Sequence, residues 1–306
     1  MSEPDTVRSG IQLATVLRFV DIAVDALAGA REEIDALNVY PVPDGDTGTN
    51  MYLTMAAARD AVQEQGVTER SEVFSVFTRG ALLGARGNSG VILSEMLRAI
   101  VGRIAEARPD ERNAAVMVDA LRRATEASYA AVGTPVEGTM LSVCRAASEA
   151  AVALLEREPG VRSRDVLTVS AKAAREALAR TPEQLQKLKD AGVVDAGGRG
   201  VVVILDAAET ALTGRRPPPV EPGHRIPQPV VARPGADLVV GGPAYEVMYL
   251  LDGPDDTIAG LRQTLAKLGD SLVVVGGEGL WNVHVHVDDV GAAIEAGIEA
   301  GRPHRV

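Results

Sequence analysis

The chain has 306 residues, of which 46% are hydrophobic and 3% are aromatic, and it carries a formal net charge of −11. This length allows one large hydrophobic core and a smaller second domain. The acidic balance argues against nucleic acid as a partner, because phosphate backbones are bound by basic surfaces.

A lone cysteine, Cys144, excludes an internal disulfide bond and a cysteine-rich zinc module, which favours a reducing compartment. The first ten residues are polar and lack the charged-then-apolar order of a signal peptide. No apolar run approaches the about 18 residues that would span a bilayer. We therefore predict a cytoplasmic protein without a membrane span.

Residues 11–213 have the periodicity of successive helices, rich in Ala, Leu and Val, with Gly and Pro between the segments. The predicted helices cover residues 11–37, 49–63, 71–84, 89–106, 110–131, 138–156, 163–180 and 195–213. Short connections between long helices favour antiparallel neighbours. The predicted fold of residues 1–213 is therefore an eight-helix up-and-down antiparallel barrel.

A proline-rich linker is predicted for residues 214–239. Seven of the seventeen prolines lie between Gly214 and Ala236, and three of them are consecutive. Such a composition is typical of a semi-extended segment rather than a helix.

A small α+β domain is predicted for residues 240–306. Strands are expected at 245–251, 271–275 and 282–287, with helices at 257–268 and 290–300. This is an open-faced βαββα unit, one strand short of a split βαββαβ sheet. The chain stops at residues 304–306, where that strand should begin, so we predict a domain truncated at its C-terminal end.

The segment 41–50, Pro-Val-Pro-Asp-Gly-Asp-Thr-Gly-Thr-Asn, is the densest functional signal. Asp44 and Asp46 lie two residues apart in a loop shaped by Pro and Gly, an arrangement suited to Mg²⁺. The helix that follows begins with Thr47, Gly48 and Thr49 and continues with Asn50, so its first N–H groups and hydroxyls predict a phosphate site. The alternative is an Asx turn with a helix N-cap.

An EF-hand interpretation of the same loop fails. Counted from Asp44, its sixth position is Thr49 instead of Gly, and its twelfth is Met55 instead of Glu.

Three more glycine-rich segments precede helices, at 84–90, 135–140 and 194–200. Each alone is more simply a turn or a close helix crossing. In an alternating bundle, however, the starts of the second, fourth, sixth and eighth helices fall at one end, where the loops could surround one ligand. The residues predicted to contact that ligand are Asn88, Ser89, Gly138, Thr139, Met140, Asp195 and Gly197, with Asp195 bonded to a ribose or to a nearby backbone group.

Other nucleotide signatures are missing, since the chain has neither a P-loop motif nor the dinucleotide fingerprint. Residues 1–213 also contain no histidine, and Cys144 lies in an apolar helix, so no obvious general base accompanies the Asp44 loop. Phosphoryl transfer depends mainly on positioning and charge neutralisation, and an acceptor that is already an anion, such as a carboxylate, needs no base.

In the second domain, His284 and His286 alternate along a strand and so point to the same face. Glu246, on a neighbouring strand, is the best-placed third ligand for a zinc ion. The alternative is a pair of half-exposed histidines on an open sheet.

These motifs resemble the ATP-binding subunit of bacterial fatty acid kinase. The resemblance rests on residues 37–51, 84–93, 136–140 and 194–200, and it extends into the second domain at 269–275 and 283–287. The helical domain is also similar to the nucleotide-binding subunit of dihydroxyacetone kinase. Nearly the whole chain is covered, but the family's third, C-terminal domain has no counterpart here.

The resemblance implies a helical barrel that holds ATP and two Mg²⁺ ions at one end through Asp44 and Asp46, with a third oxygen ligand near Asn38. It implies transfer of the γ-phosphate to the carboxylate of a fatty acid carried by a separate lipid-binding protein. In the family, two histidines and a cysteine of the middle domain hold a metal; Glu246 stands at the cysteine's position here. A homodimer is compatible with the sequence.

Two other functions remain open at this stage. One is a kinase subunit for dihydroxyacetone or a similar small sugar, which the second domain disfavours. The other is a non-catalytic ATP-binding assembly module, against which the two aspartates argue.

Overall fold

A computed structural model of the chain describes residues 11–214 and 242–306. The proline-rich linker predicted for 214–239 falls, apart from Gly214, outside the described residues. None of the described helices has both the length and the apolarity needed to cross a membrane.

The first unit contains eight long helices, as predicted. They are α1 (Leu13–Leu37), α2 (Thr47–Gln65), α3 (Arg70–Gly84), α4 (Gly87–Ala105), α5 (Asn113–Ala131), α6 (Met140–Arg157), α7 (Ser163–Ala179) and α10 (Ala196–Thr213). Each buries a stripe of apolar residues at helical spacing, such as Val20, Val24 and Leu27 in α1. Successive helices pack on each other and α10 returns to α1, which closes the barrel.

Two short helices interrupt the segment between α7 and α10. They are α8 (Thr181–Gln184) and α9 (Gln186–Ala191), and α9 ends at Gly192 in the left-handed conformation. The sequence analysis did not predict them, because helices this short show no periodicity.

The second unit is a four-stranded antiparallel sheet with two helices. Its elements are β1 (Tyr245–Asp252), α11 (Ile258–Leu268), β2 (Gly269–Gly277), β3 (Leu280–Val287), α12 (Val290–Ala300) and β4 (Arg302–His304). The strand order is β2-β3-β1-β4, the order of a split βαββαβ sheet. The last strand, which we expected to be missing, is therefore present as three residues paired with β1. Its length and Pro303 hide any alternating pattern in the sequence.

The two faces of this sheet have different partners. Val247, Tyr249 and Leu251 of β1 pack with α11 and α12 in a small core. Residues of the opposite face, including Met248 and Val275, join the core of the barrel. The helices thus cover only one face, as expected of an open-faced unit, and the barrel covers part of the other.

Polar contacts also join the two units. The Gly133 N–H, between α5 and α6, donates to the Leu272 carbonyl at 3.0 Å, and the Asn282 side chain donates to the Leu82 carbonyl at 3.2 Å. The sheet is thereby held against the barrel, with β1 and β3 facing it.

Candidate nucleotide site and the adjoining histidine cluster

Asp35, in the last turns of α1, fixes the start of α2. Its carboxylate accepts the Thr49 N–H at 2.9 Å and the Thr49 hydroxyl at 2.7 Å. Gly48 packs directly on the Arg31 carbonyl, where a side chain would not fit. Both donors of Thr49 are thus used inside the protein, which differs from its predicted role as a phosphate donor. The sequence analysis missed Asp35, because one carboxylate on a helix has no distinguishing spacing.

Asp44 and Asp46 form the acidic point of the loop between α1 and α2. Gly45 turns the chain between them with a φ of 70°. Asp46 precedes α2 but its side chain makes no capping bond, so the N-cap alternative does not account for this carboxylate. Burial, the charge and hydrogen bond of Asp46 and the charge of Glu246 raise the pKa of Asp44 to about 7. Mutually repelling carboxylates in a partly buried place are stabilised by a cation.

Asn38 adds an amide to this pair. Its Nδ2 group donates to the Asp44 carboxylate, and its buried Oδ1 atom has no hydrogen-bond partner among the described residues. Amide oxygens are hard ligands of the kind that Mg²⁺ binds. The structure therefore brings all three predicted magnesium ligands together.

The starts of α2 and α4 lie side by side and leave donors free. Gly87, with a φ of 54°, packs against the Asn50 side chain, where a Cβ atom would clash. Neither helix has a side-chain N-cap bond. The N–H groups of the first turns, which belong to Thr47 and Gly48 in α2 and to residues 87–89 in α4, have no backbone partner in the described parts of the chain. Such exposed N–H groups at two helix starts can bind phosphate oxygens.

The start of α6 uses its predicted contact groups internally. The Gly138 N–H donates to the Ser142 hydroxyl at 2.8 Å. The Thr139 hydroxyl donates to the Val136 carbonyl at 2.7 Å and accepts the Leu141 N–H, which makes Thr139 the N-cap of the helix. Thr139 is therefore a helix cap in this structure and not a free donor to phosphate.

Asp195 links the starts of α6 and α10. Its buried carboxylate accepts the Gly198 N–H at 2.7 Å and is also bonded by the Met140 N–H. Burial raises the pKa of Asp195 to about 7, and these two bonds oppose the shift. Of the two partners offered by the sequence, the structure gives Asp195 the backbone; a bond to a ribose stays a prediction.

Glycines let the four helix starts meet at one end of the barrel. Gly197 lies against the Met140 side chain, and Gly200 lies against Met51 of α2. Together with the contact between Gly87 and Asn50, these approaches connect the starts of α2, α4, α6 and α10. The predicted convergence of the four loops is thus present in the structure.

The short helices α8 and α9 add a lysine that the sequence analysis missed. Gln184 and Leu185 pack on Gly138, and the Lys187 ammonium group lies 5.5 Å from the centre of the Tyr40 ring. Burial and the charges of Asp195 and Asp270 raise the pKa of Tyr40, which places this tyrosine beside the acidic groups. Lys187 thus adds a cation beside an otherwise acidic surface.

A histidine cluster on the sheet adjoins the Asp44 loop. His284 is 1% exposed, its Nδ1 atom lies 3.3 Å from Glu246 Oε1, and neither ring nitrogen has a hydrogen-bond partner among the described residues. One ligand atom each from Glu246, His284 and His286 lies within 4.8 Å of the others. Burial and the neighbouring His286 lower the pKa of His284 to about 3, so its ring is neutral and able to bind a metal. His284 is buried, unlike the half-exposed histidine of the alternative interpretation.

Comparison with known proteins gives the family. Residues 41–210 match the DAK2 domain, and residues 242–306 match the middle domain of FakA-like fatty acid kinase proteins. Protein YloV of Bacillus subtilis (strain 168) is 37% identical over 284 residues, which are 87% of this chain and 50% of that protein. An uncharacterized protein of Staphylococcus aureus (strain USA300) is 33% identical over 298 residues, 92% of this chain and 53% of its own length.

The chain therefore belongs to the DAK2-domain family, in the group with a FakA-like middle domain. It spans about half the length of the curated relatives it matches. Among solved structures, the dihydroxyacetone kinase from C. freundii in complex with AMP-PNP and Mg²⁺ is similar, with a TM-score of 0.48 and 17% identity. That match covers 69% of this chain and 36% of the other.

Proposed function

We propose that this chain is the Mg·ATP-binding subunit of a two-component kinase. Its substrate would be a fatty acid held by a separate lipid-binding protein, and its product an acyl-phosphate. The observation that carries the proposal is the pair Asp44 and Asp46 beside the unpartnered N–H groups at the starts of α2 and α4. Membership of the DAK2-domain family, with a fatty acid kinase-type middle domain, supports the choice of acceptor.

The residues divide the work by their chemistry. Asp44 and Asp46 would hold Mg²⁺, two ions in all, with Asn38 Oδ1 as a further oxygen ligand. The N–H groups of Thr47, Gly48 and residues 87–89 would bind the phosphates. A carboxylate oxygen of the fatty acid then attacks the γ-phosphorus, the bond to the bridging oxygen breaks, and ADP leaves. The acceptor is already an anion, so the lack of histidine in residues 1–213 is no obstacle.

The histidine cluster fits a second, transition-metal site. The orphaned ring nitrogens of buried His284 are the test, since a buried polar group without a partner is costly unless it binds something. Glu246, His284 and His286 would supply three ligands and leave a coordination position open, as in many zinc sites. When bound, such a metal supplies a fixed positive charge beside the phosphate site.

Two rival functions have distinct signatures. A small-sugar kinase subunit would transfer phosphate to dihydroxyacetone without a lipid-binding protein. A non-catalytic module would bind nucleotide and transfer nothing. The match of residues 242–306 to a fatty acid kinase-type domain favours the fatty acid.

The test is a transfer assay on the whole chain with ATP, Mg²⁺ and a lipid-binding protein loaded with fatty acid. Acyl-phosphate would be trapped with hydroxylamine and counted as hydroxamate. We expect hydroxamate that depends on the lipid-binding protein and is lost in Asp46→Asn. Transfer to dihydroxyacetone instead, or nucleotide binding with transfer to neither acceptor, would contradict the proposal in favour of the corresponding rival.

A further inference from the structure

The histidine cluster and the nucleotide site share a carboxylate. Glu246 lies 3.3 Å from His284 on one side, and on the other it is close enough to Asp46 for that charge, after burial, to raise the pKa of Glu246. The charge of Glu246 also reaches Asp44. The two sites therefore lie side by side where the sheet meets the barrel.

The charges at this junction are unbalanced. Asp44, Asp46 and Glu246 converge there, and Asp270 adds a fourth carboxylate 3.9 Å from the Nδ1 atom of His286. The two histidines contribute no positive charge, since burial lowers the pKa of both. Mg·ATP itself carries a net negative charge, so this junction repels it unless a further cation is present.

We propose that a divalent transition metal held by Glu246, His284 and His286 increases the affinity of the Asp44 and Asp46 site for Mg·nucleotide. The inference rests on the proposed function, because it concerns regulation of the same site. A metal at the histidines neutralises Glu246 and adds a positive charge beside the phosphate site. Buried His284, with no partner for either ring nitrogen among the described residues, indicates that the cluster is built to hold an ion rather than to be solvated.

The coupling is reciprocal. If the metal tightens nucleotide binding by some factor, Mg·nucleotide must tighten metal binding by the same factor. Couplings between neighbouring sites typically amount to about 5- to 150-fold. Glu246, the ligand that faces both sites, should carry most of this effect.

The test uses the whole chain, stripped of metal with a chelator and then reloaded with one equivalent of Co²⁺. Mg·AMP-PNP is titrated calorimetrically into both forms in excess Mg²⁺, and the visible absorption of Co²⁺ is followed separately with and without nucleotide. We expect tighter nucleotide binding to the Co²⁺ form by at least about 5-fold, and tighter Co²⁺ binding in the presence of Mg·AMP-PNP. Histidine-bound Co²⁺ should be lost in His286→Asn.

Glu246→Gln should abolish the difference between the two forms. Asp252→Asn is the matched control, since Asp252 is also a β1 carboxylate beside a histidine, 3.4 Å from His304 Nε2. This variant should keep the full difference. Equal nucleotide affinity with and without Co²⁺, or no histidine-bound Co²⁺, would overturn the inference and leave the proposed function intact. Absence of nucleotide binding in both forms would instead overturn the proposed function.

Discussion

Acidic residues at the mouth of the barrel have different roles that their surroundings decide. Asp35 accepts two hydrogen bonds from Thr49 and holds the start of α2. Asp195 is buried and accepts backbone N–H groups from α6 and α10. Asp44 and Asp46 face each other instead, and the pKa of Asp44 rises to about 7 through burial and the charges around it. Only the last pair is left with charge that a bound ion could neutralise.

Glu137, just before α6, illustrates the opposite case of a carboxylate stabilised in its charged form. The Arg145 guanidinium donates to it at 2.7 and 2.6 Å, and Ser142 and Tyr129 donate at 2.6 and 3.0 Å. These bonds, the one from Arg145 foremost, hold the pKa of Glu137 below its ordinary value of 4.5.

Glu137→Gln should therefore lose stability in a pH-dependent way. A depressed folded-state pKa stabilises the protein above the unfolded-state value near 4.5, and this contribution disappears as the pH falls through the folded-state value. Urea unfolding at several pH values should show a gap between wild type and Glu137→Gln above pH of about 5 that closes at lower pH.

The control for this prediction is Glu149→Gln. Glu149 lies 3.7 Å from the same guanidinium, but its side chain is 71% exposed. Exposed ion pairs contribute little, so this variant should differ from wild type by about 0–0.5 kcal/mol at every pH. A gap of the same size in both variants would mean that the Glu137 bonds are as unimportant as a surface pair.

At the scale of elements, glycines determine how closely the helix starts approach. Gly48 meets the backbone of α1 at Arg31, and Gly87 and Gly200 meet side chains of α2. The resulting contacts bring the free N–H groups of α2 and α4 to one place. Helix packing therefore builds the site before any ligand binds.

Gly48→Ala should separate α1 from α2. The added Cβ atom would overlap the Arg31 carbonyl and lie 2.9 Å from Ile34 Cβ, and backbone cannot move away as a flexible side chain can. Overpacking of this kind costs about 1–3 kcal/mol. We expect a lower urea midpoint with an unchanged slope, together with weaker nucleotide binding.

Gly29→Ala provides the control on the facing helix. Gly29 lies within α1 and has no atom within 4 Å of the site of a Cβ. An alanine there should stabilise the protein by about 0.5–1 kcal/mol. A Gly48→Ala variant as stable as Gly29→Ala would show that the helices do not meet as described.

The sequence predicts some of these elements far better than others. The eight long helices end within about three residues of their predicted bounds, because their apolar periodicity extends over many turns. The pair α8 and α9 and the strand β4 were missed, since each is too short to repeat a pattern. Asp44 and Asp46 are visible from their spacing, whereas Asp35 and Lys187 act through contacts between distant segments, which leave no local signal.

At the scale of the whole molecule, the sheet is fitted to the barrel by one of its faces. Met248 and Val275 enter the barrel core, and the backbone of Val132 pairs with that of Val273 just before the glycine-rich start of α6. Arg262 of α11 donates to the Ala130 carbonyl at 2.7 Å. This packing places Glu246 beside the Asp44 loop, a juxtaposition that no local sequence pattern predicts.

The central claim is that this junction binds Mg·nucleotide through Asp44 and Asp46, and calorimetric titration of AMP-PNP tests it most directly. Titrations with Mg²⁺ and with EDTA would be made on wild type, on Asp46→Asn and on Asp60→Asn, a control at a half-exposed carboxylate paired with Arg59 on the same helix. We predict Mg²⁺-dependent binding in wild type and Asp60→Asn, and its loss in Asp46→Asn without loss of thermal stability. Binding that ignores Mg²⁺ or survives Asp46→Asn would contradict the account.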